Sequence, residues 1–123
     1  MKLPMATSAI GKAWLAGLTS DRRGAVFAEL ERHHGPRWAS IRTKLERGLR
    51  EHARRGFCMA HAEWDRSVSG AAAPVSLADG SEVLSINIGG ASTRLSPEIL
   101  EGNLGPRIRE LADALAARLW RPA

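Results

Sequence analysis

Apolar residues recur three and four positions apart along the first part of the chain and alternate with polar ones in its middle. That change of period sets the expected elements. Ile10, Trp14, Leu15 and Leu18 form one apolar stripe, with Thr7 and Ser8 available to cap the helix that carries it and Gly17 and Thr19 to end it. A second helix is expected to start at Ser20 or Asp21, to present Val26, Phe27 and Leu30 on one face, and to stop at His33, His34, Gly35 and Pro36. The third pattern is more regular. From Trp38 to Arg55, the positions Ile41, Leu45, Leu49 and His52 or Ala53 share a face, and Gly56 supplies a C-terminal cap. The arginines of this stretch fall on its other faces, which predicts an inward apolar seam and a basic ridge in water.

After Gly56 the helical period is lost. Phe57 to Glu63 reads as a short strand, and Ser67 to Leu77 as a second strand built of small residues. Ala78, Asp79 and Gly80 form a turn signal, after which Glu82 to Gly89 alternates Val83, Leu84, Ile86 and Ile88 with Ser85 and Asn87. The segment from Val68 to Ile88 is therefore expected to be one antiparallel pair, ending at Gly89 and Gly90. Ser96, Pro97 and Glu98 then combine a capping hydroxyl, a first-turn proline and an acid at the positive end of a helix, with Leu95 placed to staple onto Leu100. Ile108, Leu111, Ala112, Leu115 and Leu119 continue that helix at core spacing, and Gly105 and Pro106 should kink or restart it. Helices, then strands, then a long helix make an α+β fold and not a βαβ array.

Length and composition narrow the class. The 123 residues suit a single domain over 1–123, and 44% apolar with 25% charged residues is a globular balance. No apolar run approaches the roughly 20 residues of a membrane span. The opening residues Met1 to Met5 meet Thr7, Ser8 and Lys12 before a signal-peptide core can form, so the expected location is the cytoplasm. Cys58 is the sole cysteine and has no partner for an internal disulfide. The formal charge of +5 is concentrated in one place: Arg37, Arg42, Lys44, Arg47, Arg50, Arg54 and Arg55 face only Glu46 and Glu51 between positions 37 and 56. That surplus equals the charge of the whole chain.

Candidate chemistry is sparse. Cys58, His61, Glu63 and Asp65 are the one cluster of metal-ligand types, with His61 and Glu63 expected on one face of a strand. No second ligand pair follows them, so no metal or other cofactor is expected. His61-Ala62-Glu63 also mimics the start of a zinc deaminase signature, whose two later cysteines are absent. Gly11-Lys12 lacks the flanking Gly and Ser or Thr of a phosphate loop, and Ser69-Gly70 lies on an expected strand with no base nearby. No catalytic residue is assigned, and enzymatic function is not expected. The basic segment 37–56 leaves one alternative, a stand-alone nucleic-acid-binding protein, although no aromatic residues interleave with its arginines.

Three segments together resemble the C-terminal effector-binding domain of the IclR family of transcription regulators. Leu3-Pro4-Met5-Ala6-Thr7-Ser8-Ala9-Ile10-Gly11-Lys12-Ala13-Trp14-Leu15-Ala16 is similar to the family's Leu-Pro-x-His-x-x-x-x-Gly-Lys-Ala-x-Leu-Ala run, with Ala6 in place of the histidine. Arg54-Arg55-Gly56-Phe57, Glu63 and Ala72-Ala73-Pro74-Val75 are similar to its Arg-x-Arg-Gly-Tyr, Glu and Ala-Ala-Pro-Val sequence. Leu84-Ser85-Ile86-Asn87-Ile88-Gly89-Gly90, with Thr93-Arg94-Leu95 and Pro97, resembles the following Leu-x-Ser-x-Ser-Gly-Pro-x-x-Arg-Leu segment.

The resemblance implies a GAF-like antiparallel sheet with helices packed on it, a small-molecule effector, and assembly as a homo-oligomer, dimer or tetramer. DNA would be read only by a winged helix-turn-helix that this sequence lacks. The opening strands of the module also lack a counterpart here, so a partial domain, truncated at its N-terminal side, with an unpaired sheet edge is expected. Carried over by position, the effector contacts are the amides of Ala9 and Ile10 and the strand positions Ala60, Gly70, Asn87 and Gly89. These four replace an acid, a cysteine and two serines typical of regulators of small oxo acids. The effector is therefore expected to be larger or more apolar, an aromatic acid being the leading class, with Trp14 or Trp64 close by.

Overall fold

A computed structural model describes residues 7–63, 65–77 and 82–119 of the chain. Helix α1 spans Ala9–Gly17, and its start is set by Ser8, whose hydroxyl accepts from the Gly11 N–H at 3.1 Å. Its far end is closed by a distant side chain: the Arg23 guanidinium donates to the carbonyls of Leu15, Ala16 and Leu18 at 3.0, 3.1 and 3.0 Å. Helix α2, Ser20–His34, is capped by Thr19 and not by Ser20 or Asp21. Asp21 falls in the first turn, where its charge complements the helix dipole. A single 3₁₀ turn over Gly35–Arg37 redirects the chain into α3, Trp38–Arg55. Gly56 ends α3 in the left-handed region at φ 83°, donating its N–H to the His52 carbonyl at 2.7 Å.

Strands β1 (Cys58–His61), β2 (Val68–Ser76) and β3 (Val83–Ala91) form an antiparallel sheet in that order. Two boundaries differ from expectation. Strand β1 stops at His61 because Ala62 turns into the left-handed region at φ 57°, so Glu63 leaves the strand and shares no strand face with His61. Strand β3 does not end at Gly89 and Gly90 but runs on to Ala91, pairing these glycines with Gly70 and Ser69. A Cβ on Gly70 would sit 2.8 Å from the Ile88 carbonyl, so it is the close approach of the two backbones that small residues serve here. The expected turn at Ala78, Asp79 and Gly80 lies outside the described residues.

The two faces of the sheet carry different helices. Ala71, Ala73 and Val75 of β2 pack with Phe57, Leu100, Ile108 and Ala112 on one side, while Cys58, Ala60 and Ala72 meet Ala9 and Ala13 of α1 on the other. Behind α1, a third cluster of Leu15, Leu18, Trp38 and Leu45 joins α1 to α2 and α3, with Phe27 edge-on to Trp38 at 5.5 Å between ring centroids. The final helical run begins at α4, Pro97–Ile99, where the Ser96 hydroxyl accepts from the Ile99 N–H. It widens into a π turn over Leu100–Leu104, with the Gly105 N–H reaching back to the Leu100 carbonyl, and resumes as α5, Gly105–Leu119. The irregularity expected at Gly105-Pro106 is thus a π bulge immediately before them. Leu111 and Leu119, expected in the core, are exposed, since α5 turns only Ile108 and Ala112 fully onto the sheet. Among the described residues, no helix is long and apolar enough to cross a membrane.

Candidate functional site

The register of the sheet places Ala60 opposite Gly70 and Gly70 opposite Gly89, one row of small residues across all three strands. The N-terminus of α1 stands over this row. With almost no side-chain volume beneath it, a shallow cavity of about 80 Å³ remains, lined by Thr7, Ser8, Ala9, Ile10, Ala60, Val68, Ser69, Gly70, Asn87 and Gly89. The first turn of a helix leaves N–H groups without intrahelical acceptors. Ser8 takes that of Gly11, while those of Ala9 and Ile10 belong to the positive end of the helix, which lines the cavity, and have no intrahelical acceptor. Among the described residues, none of the lining side chains is ionisable. An anion here would be held by peptide dipoles and by the hydroxyl and amide side chains of Thr7, Ser8 and Asn87.

The walls are fixed by contacts at the cavity's edge. Lys12, one turn into α1, is buried, and its ammonium donates to Glu63 Oε2 at 2.6 Å and to the Met59 carbonyl at 3.2 Å. That ion pair ties α1 to the segment that follows β1. In the same segment, the Ala62 N–H donates to Ser69 Oγ at 3.0 Å, and Ser69 Oγ lies 2.8 Å from Ser92 Oγ. The hydroxyl of Ser69 is thereby engaged although the residue borders the cavity. On the other side, Ser85 donates from its hydroxyl to the Ile10 carbonyl at 3.1 Å, holding the start of α1 to β3.

The geometry therefore gathers Ala9, Ile10, Ala60, Gly70, Asn87 and Gly89 around one cavity. Trp14 stands apart from them, packed against the cluster of Leu15, Leu18, Trp38 and Leu45. Trp64 and Ala6 lie outside the described residues. Thr7, Ser8, Val68 and Ser69 join the lining without having been singled out as contacts. Ser8 was legible only as a cap, and the part of Lys12 was hidden because its partner is 51 residues away.

The metal-ligand types do not converge. The Cys58 thiol is buried, burial pushes its pKa up to about 12, and it donates to the Gly48 carbonyl at 3.6 Å. Glu63 is committed to Lys12. Asp65 accepts from the hydroxyl and N–H of Ser67 at 2.6 and 2.8 Å, which holds its carboxyl below the usual range. Among the described residues, no three His, Cys, Asp or Glu side chains gather to hold a metal ion.

Comparison with known proteins gives a consistent picture. Residues 1–117 match the family described as bacterial transcriptional regulator IclR, C-terminal. The HTH-type transcriptional regulator TsaQ1/TsaQ2 of Comamonas testosteroni is 23% identical over 117 residues, covering 95% of this chain and 42% of that protein. Among solved structures, an IclR family transcriptional regulator from Brucella abortus is 34% identical with a TM-score of 0.87, over 95% of this chain and 44% of that one. A double mutant of the PobR inducer-binding domain from Acinetobacter, in complex with 3-hydroxybenzoic acid, is 24% identical with a TM-score of 0.70, over 93% of this chain and 66% of that one. The chain thus spans less than half the length of the TsaQ and Brucella regulators it matches.

Proposed function

The chain belongs to the IclR C-terminal, effector-binding family of bacterial transcriptional regulators, and from that premise we propose that its cavity binds a small organic acid, with an aromatic acid as the leading class. The relatives are regulators of transcription and not enzymes. In this reading the carboxylate of the effector sits on the N–H groups of Ala9 and Ile10, where the helix dipole favours negative charge. One observation carries the proposal: the start of α1 stands over the row Ala60, Gly70 and Gly89, with no ionisable side chain in the lining among the described residues. The apolar side chains of Ile10 and Val68 offer contact to a ring that a two-carbon acid would not use. A cavity of about 80 Å³ has room for the carboxylate end alone, so in this reading the rest of the ligand extends beyond it along the apolar side chains of Ile10 and Val68. Asn87 supplies a polar side chain from β3 for a ring substituent.

The same reading makes the domain a homo-oligomer, dimer or tetramer, with DNA read by a separate winged helix-turn-helix, so that the effector acts by shifting the arrangement of protomers and not through chemistry. Leu84 and Ile88, exposed on β3 at the edge of the sheet, support association. The test is a calorimetric panel of benzoate and hydroxybenzoates against two- and three-carbon oxo acids, on the native chain and on Asn87→Ala. Tighter binding of the aromatic acids, weakened about tenfold for hydroxybenzoates in the variant by loss of one hydrogen bond, is the expected result. Preference for the small oxo acids would reject the aromatic assignment.

A further inference from the structure

Helix α3 has a second face whose chemistry the effector cavity leaves unused. Lys44, Arg47, Arg50 and Arg54 are all exposed, and their spacing of three, three and four residues confines them to about a third of the helix circumference, away from Ile41, Leu45 and Leu49. Arg42 pairs with Glu46 on another face, and Glu51, the one acid within the arc of the stripe, is taken up by Arg55, which also meets Glu101. Among the described residues, no carboxylate pairs with the four cations of the stripe. Arg47, Arg50 and Arg54, with Glu51 at the border, surround a surface hollow of about 310 Å³.

We propose that this stripe, Lys44, Arg47, Arg50 and Arg54, docks the phosphate backbone of duplex DNA, giving the sensing domain a sequence-independent contact of its own. At a rise of about 1.5 Å per residue the stripe is about 15 Å long. One DNA strand carries a phosphate every ~3.4 Å along the axis but winds around it, so the straight stripe meets at most about four phosphates, one per cation. Three of the four are arginines, whose planar donors match phosphate oxygens in pairs. A straight row of cations about 15 Å long, with only an open hollow beside it, suits an extended phosphate backbone more than the side chains of an acidic peptide. An anionic membrane surface would need large apolar side chains beside the cations. Among the described residues, the exposed large apolar ones are Val68, Leu84, Ile88, Ile99, Leu111 and Leu119, all on the strands, α4 and α5.

The contact does not depend on the effector assignment, and its test is separate from the calorimetric panel. Fluorescence anisotropy of a labelled mixed-sequence duplex is titrated with the 123-residue chain at several salt concentrations. Four phosphate contacts predict a slope of log K against log salt near −3.6, or roughly a hundredfold loss of affinity for a fourfold rise in salt. The triple variant Arg47→Gln, Arg50→Gln, Arg54→Gln is expected to reduce the slope to about −1. A control of equal charge change on exposed residues elsewhere, Arg32→Gln, Arg107→Gln, Arg118→Gln, is expected to keep the native slope. Should the stripe triple melt early, the three single variants carry the same test, each removing about one unit of slope. Absence of DNA binding, equal losses in the two triples, an unchanged slope in the stripe variant, or tighter binding to phosphatidylserine vesicles than to DNA would each overturn the proposal.

Discussion

Lys12 occupies an environment unusual for its type, since lysines are seldom buried. Its ammonium is almost fully buried and depends on Glu63, itself partly exposed, and on one carbonyl. Removing the acid leaves a cation in a low-dielectric site, a larger penalty than the pair's own net contribution. Glu63→Gln is expected to cost ~1–3 kcal/mol, with solvent at Glu63 keeping it well below a fully buried pair. Lys12→Met should cost a comparable amount, and the double variant less than the two together, as denaturant melts of the four proteins would reveal. His52 contributes a pH dependence below neutrality. Burial and, secondarily, the charges of Arg23 and Arg109 lower its pKa from the ordinary 6.5, so the fold favours the neutral ring. As pH falls below 6.5 the unfolded chain takes up a proton that the fold resists, and stability declines until the folded ring also protonates. Melting temperature is expected to drop on acidification through this range, and His52→Gln to flatten that part of the curve.

Among the elements, the ends were more legible than the packing. Ser8, Gly56 and Ser96 act through groups within four residues of themselves, so their helix boundaries follow from local chemistry. Arg23 closing α1, Lys12 reaching Glu63 and the Gly70–Gly89 approach join positions that only the finished fold brings together. The continuation of β3 through two glycines is the clearest instance: read alone they signal a strand end, while opposite Gly70 and Ser69 they allow one. Position 60, 70 and 89 were placed by family resemblance, and the register supplies the physical reason they meet. Gly105 makes a comparable demand at the π bulge, since a Cβ there would collide with the Phe57 ring and the Leu100 carbonyl. Gly105→Ala is expected to cost more than ~2 kcal/mol despite the better helix propensity of alanine. Ser96→Ala, which loses only a cap, should cost about 1 kcal/mol in the same melts.

At the scale of the whole molecule, helices cover both faces of the sheet, yet Leu84 and Ile88 of β3 stay exposed at its edge. Such an edge favours association, and sedimentation equilibrium is expected to detect dimers that the pair Leu84→Lys, Ile88→Lys converts to monomers. The α+β class follows from periodicity because each element has its own apolar rhythm. The cavity does not, because it is made of what the row Ala60, Gly70 and Gly89 leaves empty. The most direct test of the account is a nuclear magnetic resonance titration that follows the backbone amides of Ala9 and Ile10 as benzoate is added. Saturable movement of these two signals, with those of Gly70 and Gly89 following, is the result expected. Saturation at other amides with these unmoved, or no saturable response to any carboxylic acid, would contradict it.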